Sequence, residues 1–206
     1  MPENQWFHWA QQIQAIAQSG LHYTENEFDR ERYEQMREIA LQMIAAQSDL
    51  PMDKLQHIFS GEEGYTTPKV DVRGVVFKDG KLLLVHELSD GLWTLPGGWV
   101  DINEPPSLAV EREVFEESGY HVKARKIAGV FDRNSHPHPA YLFHVYKLFI
   151  LCDYIDGKAT SSIETDGAAF YALDELPPLS VARVMQQQIE LMFTHLANPA
   201  RPTDFD

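Results

Sequence analysis

The stretch from Gly98 to Tyr120 reads GWVDINEPPSLAVEREVFEESGY, and its reading governs that of the whole chain. Pro105-Pro106-Ser107 opens a helix, because proline at the first helical positions lacks only an amide that has no intrahelical partner there. Gly119 ends it, so the spacing predicts a helix over about Pro106 to Ser118. Glu113, Glu116 and Glu117 then stand at i, i+3 and i+4 on one face. Like charges so placed destabilise an isolated helix, and more so near its electronegative C-terminal end. The cluster is costly unless a cation neutralises it. Oxygen donors without sulfur select Mg²⁺ or Mn²⁺ over softer metals. Arg112 keeps its proton under all conditions and is a fixed internal counter-ion, for Glu104 or Glu116.

The remainder of the 206 residues sets the context for that helix. With 44% apolar and 23% charged residues, the chain has the composition of a folded protein. Seventeen basic against thirty-one acidic residues leave a charge of −14, which repels polyanions and disfavours a broad nucleic-acid surface. Cys152 is the single cysteine, so an internal disulfide and a thiolate-rich zinc site are excluded, and a reducing cytoplasm is expected. Met1 to Gly20 has neither a basic leader nor a continuous apolar run. No stretch approaches the roughly 20 apolar residues of a membrane span.

Trp6, Trp9, Ala10, Ile13, Ile16 and Ala17 mark one face of a first helix that Gly20 closes. A second helix runs from about Asp29 to Gln47, capped by Asn26 or Asp29, with Tyr33, Met36, Ile39, Ala40 and Met43 inward. A third follows Pro51, turns Leu55, Ile58 and Phe59 inward and stops at Gly61. The turn formers from Ser60 to Lys69 separate a helical domain, 1–64, from a second domain, 65–206. There the period changes, and Val70–Phe77 and Lys81–Glu87 flank Asp79-Gly80 as a hairpin. Extended runs near His121–Phe131, Tyr141–Cys152 and Ala168–Ala172 and a final helix from Val181 to Leu196 complete an α/β domain with a mixed sheet.

The segment beginning at Gly98 resembles the Nudix box, in which glycine, glutamate, an Arg-Glu pair, two further glutamates and a glycine recur at fixed spacing. Gly98, Glu104, Arg112, Glu113, Val114, Glu116, Glu117 and Gly119 match, and Tyr120 departs, as an aromatic where an aliphatic is usual. At about 7% usage per residue, the fixed identities coincide by chance on the order of once in 10⁸ positions. The helical N-terminus, Thr67–Gly74 and Asp90–Trp99 also resemble bacterial Nudix enzymes with an N-terminal helical domain.

This resemblance implies a Nudix α/β/α sandwich and hydrolysis of a nucleoside diphosphate linked to a second group X, CDP-choline and ADP-ribose being examples. It implies Mg²⁺ or Mn²⁺ held by Glu113, Glu116, Glu117 and the Gly97 carbonyl, with Gly98, Glu104, Arg112 and Gly119 supporting the box. Cations withdraw charge from the diphosphate and acidify water, which attacks one phosphorus to release a nucleoside monophosphate and phospho-X. The general base lies on the box or in a later loop, where Glu164 is the first candidate and Asp166 the second. A triphosphate-sanitising or RNA-end hydrolase and a non-catalytic nucleotide sensor are the alternatives.

Arg73 alternates with core valines and is a candidate phosphate ligand. His136 and His138, in a polar proline-bearing loop, are candidate substrate contacts. Trp99, beside the box glycine, is placed to stack on a base. The stripe of Trp6, Trp9 and Ile13 is too apolar to stand open. A homodimer whose helical domain helps to close the nucleotide site is expected.

Overall fold

The apolar spacing of the N-terminal region resolves, in the computed structural model, into α1 (Gln5–Tyr23), α2 (Glu27–Ala45) and α3 (Met52–Ser60). The structure describes residues 5–48 and 50–206; Met1–Asn4, part of the leader reading, lie outside the described residues. The chain forms two units. The first runs to Pro68 and includes Ala140–His144; the second comprises Lys69–Pro139 and Val145–Asp206.

In the first unit Phe7, Ala10, Leu41, Ile44, Leu55 and Phe59 form the core, joined by Leu142 and Phe143. Asn26 caps α2, its side chain accepting from the Phe28 and Asp29 amides. Three expectations are corrected. Gly20 does not close α1, which continues to Tyr23; an added Cβ there would lie 2.4 Å from the Tyr33 ring, so the glycine serves close packing of α1 on α2. The buried face of α1 is Phe7, Ala10, Gln14, Ala17 and Gln18, whereas Trp6, Trp9 and Ile16 are exposed. On α2, Ile39 is exposed and Leu41 and Ile44 are buried.

The second unit is a mixed sheet between helices. Its strands are β1 (Lys69–Lys78), β2 (Lys81–Glu87), β3 (Trp93–Thr94), β4 (Tyr120–Asp132), β5 (Val145–Gly157), β6 (Thr165–Tyr171) and β7 (Asp204–Phe205). The order is β3-β2-β1-β5-β4-β7, with β6 paired to β2. β1 and β5 run parallel, while β1–β2 and β4–β5 are antiparallel. Asp79 and Gly80, both with positive φ, make the predicted hairpin turn. Helix α4 (Pro106–Ser118), with the predicted limits, packs Ala109, Val110 and Val114 with Val72 and Val76 on one side of the sheet. Helix α5 (Gln186–Ala197) packs Ile189 and Met192 with Val75 and Phe149 in a second core.

Several boundaries differ from expectation: α2 starts at Glu27, β5 runs on to Gly157, and β6 starts at Thr165. Tyr141–His144 is not strand, because Leu142 and Phe143 join the helical core and Gln11 Nε2 donates to the Tyr141 and Leu142 carbonyls at 3.0 Å. The last helix starts at Gln186, since Arg183 and Val184 turn back to the Ser180 carbonyl. Among the described residues no helix is long and apolar enough to cross a membrane.

Gly119 ends α4 in the left-handed conformation, φ 75°, and an added Cβ would lie 2.3 Å from Thr160 Oγ1 and 2.5 Å from the Lys158 carbonyl. Gly119→Ala is therefore expected to lower stability by at least about 1–2 kcal/mol from backbone strain alone. Thermal denaturation checks this, and an unchanged Tm would contradict it.

Candidate active site

The turn Pro96–Gly98 is sewn to β1 before any side chain is considered. Gly74 N donates to the Pro96 carbonyl at 2.7 Å, Val72 N to Gly98 at 2.9 Å, and Val100 N to Val70 at 3.1 Å. Gly97 has φ 144°, and a Cβ would sit 2.0 Å from the Val72 carbonyl, so only glycine fits. Helix α4 docks on the same strand, bringing its C-terminal carboxylates to the turn.

Glu117 is the buried member, 5% exposed. Gly97 N donates to Glu117 Oε2 at 2.9 Å, and Thr165 Oγ1 donates to the Glu117 carbonyl at 2.6 Å. One residue thus joins α4, the glycine turn and the segment entering β6. Burial pushes the Glu117 carboxyl up to about 8. Arg73 and the Gly97 amide oppose the shift; Glu113 and Glu87 add repulsion. Glu113 is raised by burial and drawn back by Arg112. Glu116 has a side chain 56% exposed.

Arg112 organises the rest. Its Nε and Nη2 donate to the two oxygens of Glu104, each at 2.9 Å, and Nη1 donates to Glu113 Oε1 at 2.8 Å and Glu116 Oε2 at 3.1 Å. The counter-ion expected for Glu104 or Glu116 serves both, and Glu113 as well. Glu104 is held below the usual carboxylate range by Arg112.

Arg73 is buried, with Nε and Nη2 forked on Asp71 at 2.8 and 2.6 Å and Nη1 on the Leu95 carbonyl at 3.2 Å. Its charge acts on Glu113, Glu117 and Glu87. Trp99 is half-exposed beside the turn, and its carbonyl accepts from Arg112 Nη2 at 3.4 Å. Glu164 is exposed, but its backbone is pinned: its carbonyl accepts from Leu88 N at 2.8 Å and its amide donates to Ser162 Oγ at 3.0 Å. Its charge reaches Glu87. Asp166 is held by His86 Nδ1 at 2.5 Å. His136 faces Asp206 at 3.1 Å, and buried His138 donates from Nδ1 to the Val181 carbonyl at 2.7 Å. Desolvation lowers His138 to about 4, so it is neutral at pH 7.

Sequence reasoning did not single out Asp71, Glu87, Lys147 or Arg183. Glu87 is buried against Arg183 Nε at 3.0 Å, and Arg183 also binds Asp90 at 3.1 Å. Lys147 is buried and donates to Asp71 Oδ1 at 3.2 Å. The available signal was a charge on the inward phase of an otherwise apolar strand, as in VYKLFILC.

The donor set fits a hard divalent cation, because Glu113, Glu116, Glu117 and the Gly97 carbonyl offer oxygen only. Burial disfavours the ionised form of Glu117, and a nearby cation would restore it. Among the described residues no three Asp, Glu, His or Cys side chains surround a common point; Glu113 and Glu116 are instead bonded to Arg112.

A family model described as the NUDIX domain matches residues 67–192. Another, described as a UDP-X-like, N-terminal oligomerisation domain, matches residues 4–59. A Bacillus subtilis (strain 168) protein, YjhB, named as a candidate ADP-ribose pyrophosphatase, is 42% identical over 99% of this chain and 98% of its own length. A solved UDP-X diphosphatase is 30% identical over all of both chains, with a TM-score of 0.64. An ADP-ribose pyrophosphatase from Streptococcus suis 89-1591 is 37% identical over 68% of this chain and all of its own, with a TM-score of 0.63.

The raised Glu117 carboxyl has a definite sign. Its stabilising, protonated form is fully present below about 4.5 and is lost as pH rises through about 8. The Tm of chelated protein is expected to fall across that window, and less so in Glu117→Gln. Adding Mg²⁺ at pH 8 is expected to raise the wild-type Tm and leave the variant's nearly unmoved; identical behaviour of the two proteins would remove Glu117 from the cation site.

Proposed function

The chain belongs to the Nudix hydrolase family, and from that premise we propose that it cleaves the diphosphate of a nucleoside diphosphate linked to X, releasing a nucleoside monophosphate and phospho-X. The observation that carries this reading is the convergence of Glu117, Glu113 and Arg112 on the Gly97 turn. The names of the full-length relatives favour ADP-ribose or a UDP-linked conjugate as substrate, with CDP-choline a further member of the class.

A divalent cation, Mg²⁺ or Mn²⁺, at Glu113, Glu116, Glu117 and the Gly97 carbonyl would withdraw charge from the diphosphate and acidify the attacking water. The chain's own residues do the rest. Arg112 holds Glu113 and Glu116, and the Gly97 amide holds Glu117, which limits the positions these carboxylates can take. Arg73 supplies positive charge beside the carboxylates and is the proposed counter-charge to the diphosphate. Glu164 is the proposed base, on a backbone held by Leu88 and Ser162, whereas Asp166 is engaged by His86. The base takes the proton of water as the new P–O bond forms and the bridging P–O bond breaks. Trp99 is the proposed stacking surface for the base, and His136 and His138 the proposed contacts to X.

We also propose a homodimer and a cytoplasmic setting. Trp6, 50% exposed, and Ile16, 57% exposed, lie with Trp9 on the outer face of α1, within the segment matched by the oligomerisation-domain description. Ile16 also edges a groove with Tyr23, Tyr33 and Tyr65. An apolar surface of this kind is normally covered.

Hydrolysis of ADP-ribose, UDP-linked sugars, CDP-choline and nucleoside triphosphates, with Mg²⁺, Mn²⁺ or EDTA, tests the substrate class. A conjugate is expected to be turned over fastest and to yield a nucleoside monophosphate by mass; faster triphosphate cleavage would overturn the reading. Glu113→Gln and Glu116→Gln are each expected to lower turnover by orders of magnitude with an unchanged Tm. Ile16→Asp is expected to convert a dimeric mass to a monomeric one in light scattering, and a monomeric wild type would refute the dimer.

A further inference from the structure

Lys147 lies on β5 opposite Asp71 of β1 and is 2% exposed. It donates to Asp71 Oδ1, but that carboxylate is already neutralised by the two-point fork of Arg73. Two buried cations therefore share one anion, and Arg133 adds its repulsion at Lys147. Desolvation is the larger effect, and together they lower the Lys147 ammonium to about 7. Packing does not require such a charge: an apolar side chain of similar length would leave the Asp71–Arg73 pair complete and relieve the desolvation.

The position of the pair suggests what the second charge is for. Asp71 bridges to Trp99, and Arg73 reaches Leu95, so the acid and the arginine stand on the stretch of β1 that holds the Pro96–Gly98 turn, and Lys147 faces them from the neighbouring strand β5. Arg73 also acts on Glu117, placing the positive charge next to the carboxylates. Because Arg73 keeps Asp71 neutralised, the flexible Lys147 stem can swing away without stranding a buried carboxylate.

We propose that Lys147 is an oxyanion ligand for the substrate, which leaves Asp71 to Arg73 and binds a phosphate or carboxylate oxygen. This rests on the pyrophosphohydrolase reading above. The oxyanion comes either from the diphosphate itself or from an acidic group on X.

Lys147→Met tests it with UDP-glucose and UDP-glucuronate as conjugates of neutral and acidic X. The variant is expected to keep or raise its Tm, to raise KM by about 10- to 100-fold as a charged hydrogen bond is lost, and to leave kcat little changed. An equal rise for both conjugates assigns the oxyanion to the diphosphate, and a rise for UDP-glucuronate alone assigns it to X. Unchanged KM for both in a folded variant overturns the proposal. If the wild type cleaves neither conjugate, calorimetry with inorganic pyrophosphate in EDTA separates the two questions. Weaker binding by Lys147→Met keeps the oxyanion ligand, and equal binding removes it. Should the variant not fold, the Nζ resonance of Lys147 in the wild type is followed by lysine-selective NMR as pyrophosphate is added; a shift supports the ligand and constancy overturns it.

Discussion

Glu117 is held at both ends: its carboxylate accepts the Gly97 amide and its backbone carbonyl accepts the Thr165 hydroxyl. The first bond fixes the glycine turn directly to α4, in addition to the Arg112 contact to the Trp99 carbonyl. The second ties the segment carrying Glu164 to the helix, alongside the bond from Thr160 N to the Ser118 carbonyl. Placing an ionisable group at this junction is costly, since burial disfavours the carboxylate that the Gly97 amide prefers. A polar junction in a low-dielectric setting is strong only when it is satisfied, and here the carboxylate is satisfied by a backbone amide and the carbonyl by a threonine hydroxyl.

From that junction outward the charges form an ordered series. Arg112 gathers Glu104, Glu113 and Glu116 on the exposed side of the helix, while Arg73 opposes Glu117 and Glu113 from within the sheet. Asp71 anchors Arg73 and in turn meets Lys147. Arg73 and Lys147 are thereby restrained by an acid that is not itself one of the carboxylates facing the proposed substrate, whereas Arg112 binds Glu113 and Glu116 directly. Glu87 repeats the pattern with Arg183, next to Glu164. Asp71 thus keeps the charge of Arg73 close to the carboxylates without letting it collapse onto them, as a site that receives a polyanion requires.

What the sequence made legible was local. The limits of α4 follow from Pro106 and Gly119, and the β1–β2 turn follows from Asp79-Gly80, because those residues set their own backbone angles. The spacing pointed Arg112 to Glu104 or Glu116, and it meets both, but it did not foretell that Glu117 would be buried apart from them against the Gly97 amide. That depends on the depth at which α4 docks on β1. Lys147 and Asp71 were not singled out, because their pairing spans the parallel β1–β5 contact between strands distant in sequence. Leu142 and Phe143 read as strand from composition alone, yet they pack with Leu55 and Phe59. No local pattern signals that choice.

The misreading of α1 has a more specific cause. Periodicity reports that a helix has an apolar face, and α1 has two, one made of Phe7, Ala10 and Ala17 and one of Trp6, Trp9 and Ile16. The larger side chains gave the stronger signal but lie outside. Phe7 at the start of the helix lies inside, as do the two alanines and Gly20 further along, where α2 approaches closely enough to bring Tyr33 against the glycine. A helix pair at that distance has room for alanine and not for tryptophan. Bulk therefore collects on the outer face, away from α2's closest approach, where a second surface would gain most by covering it.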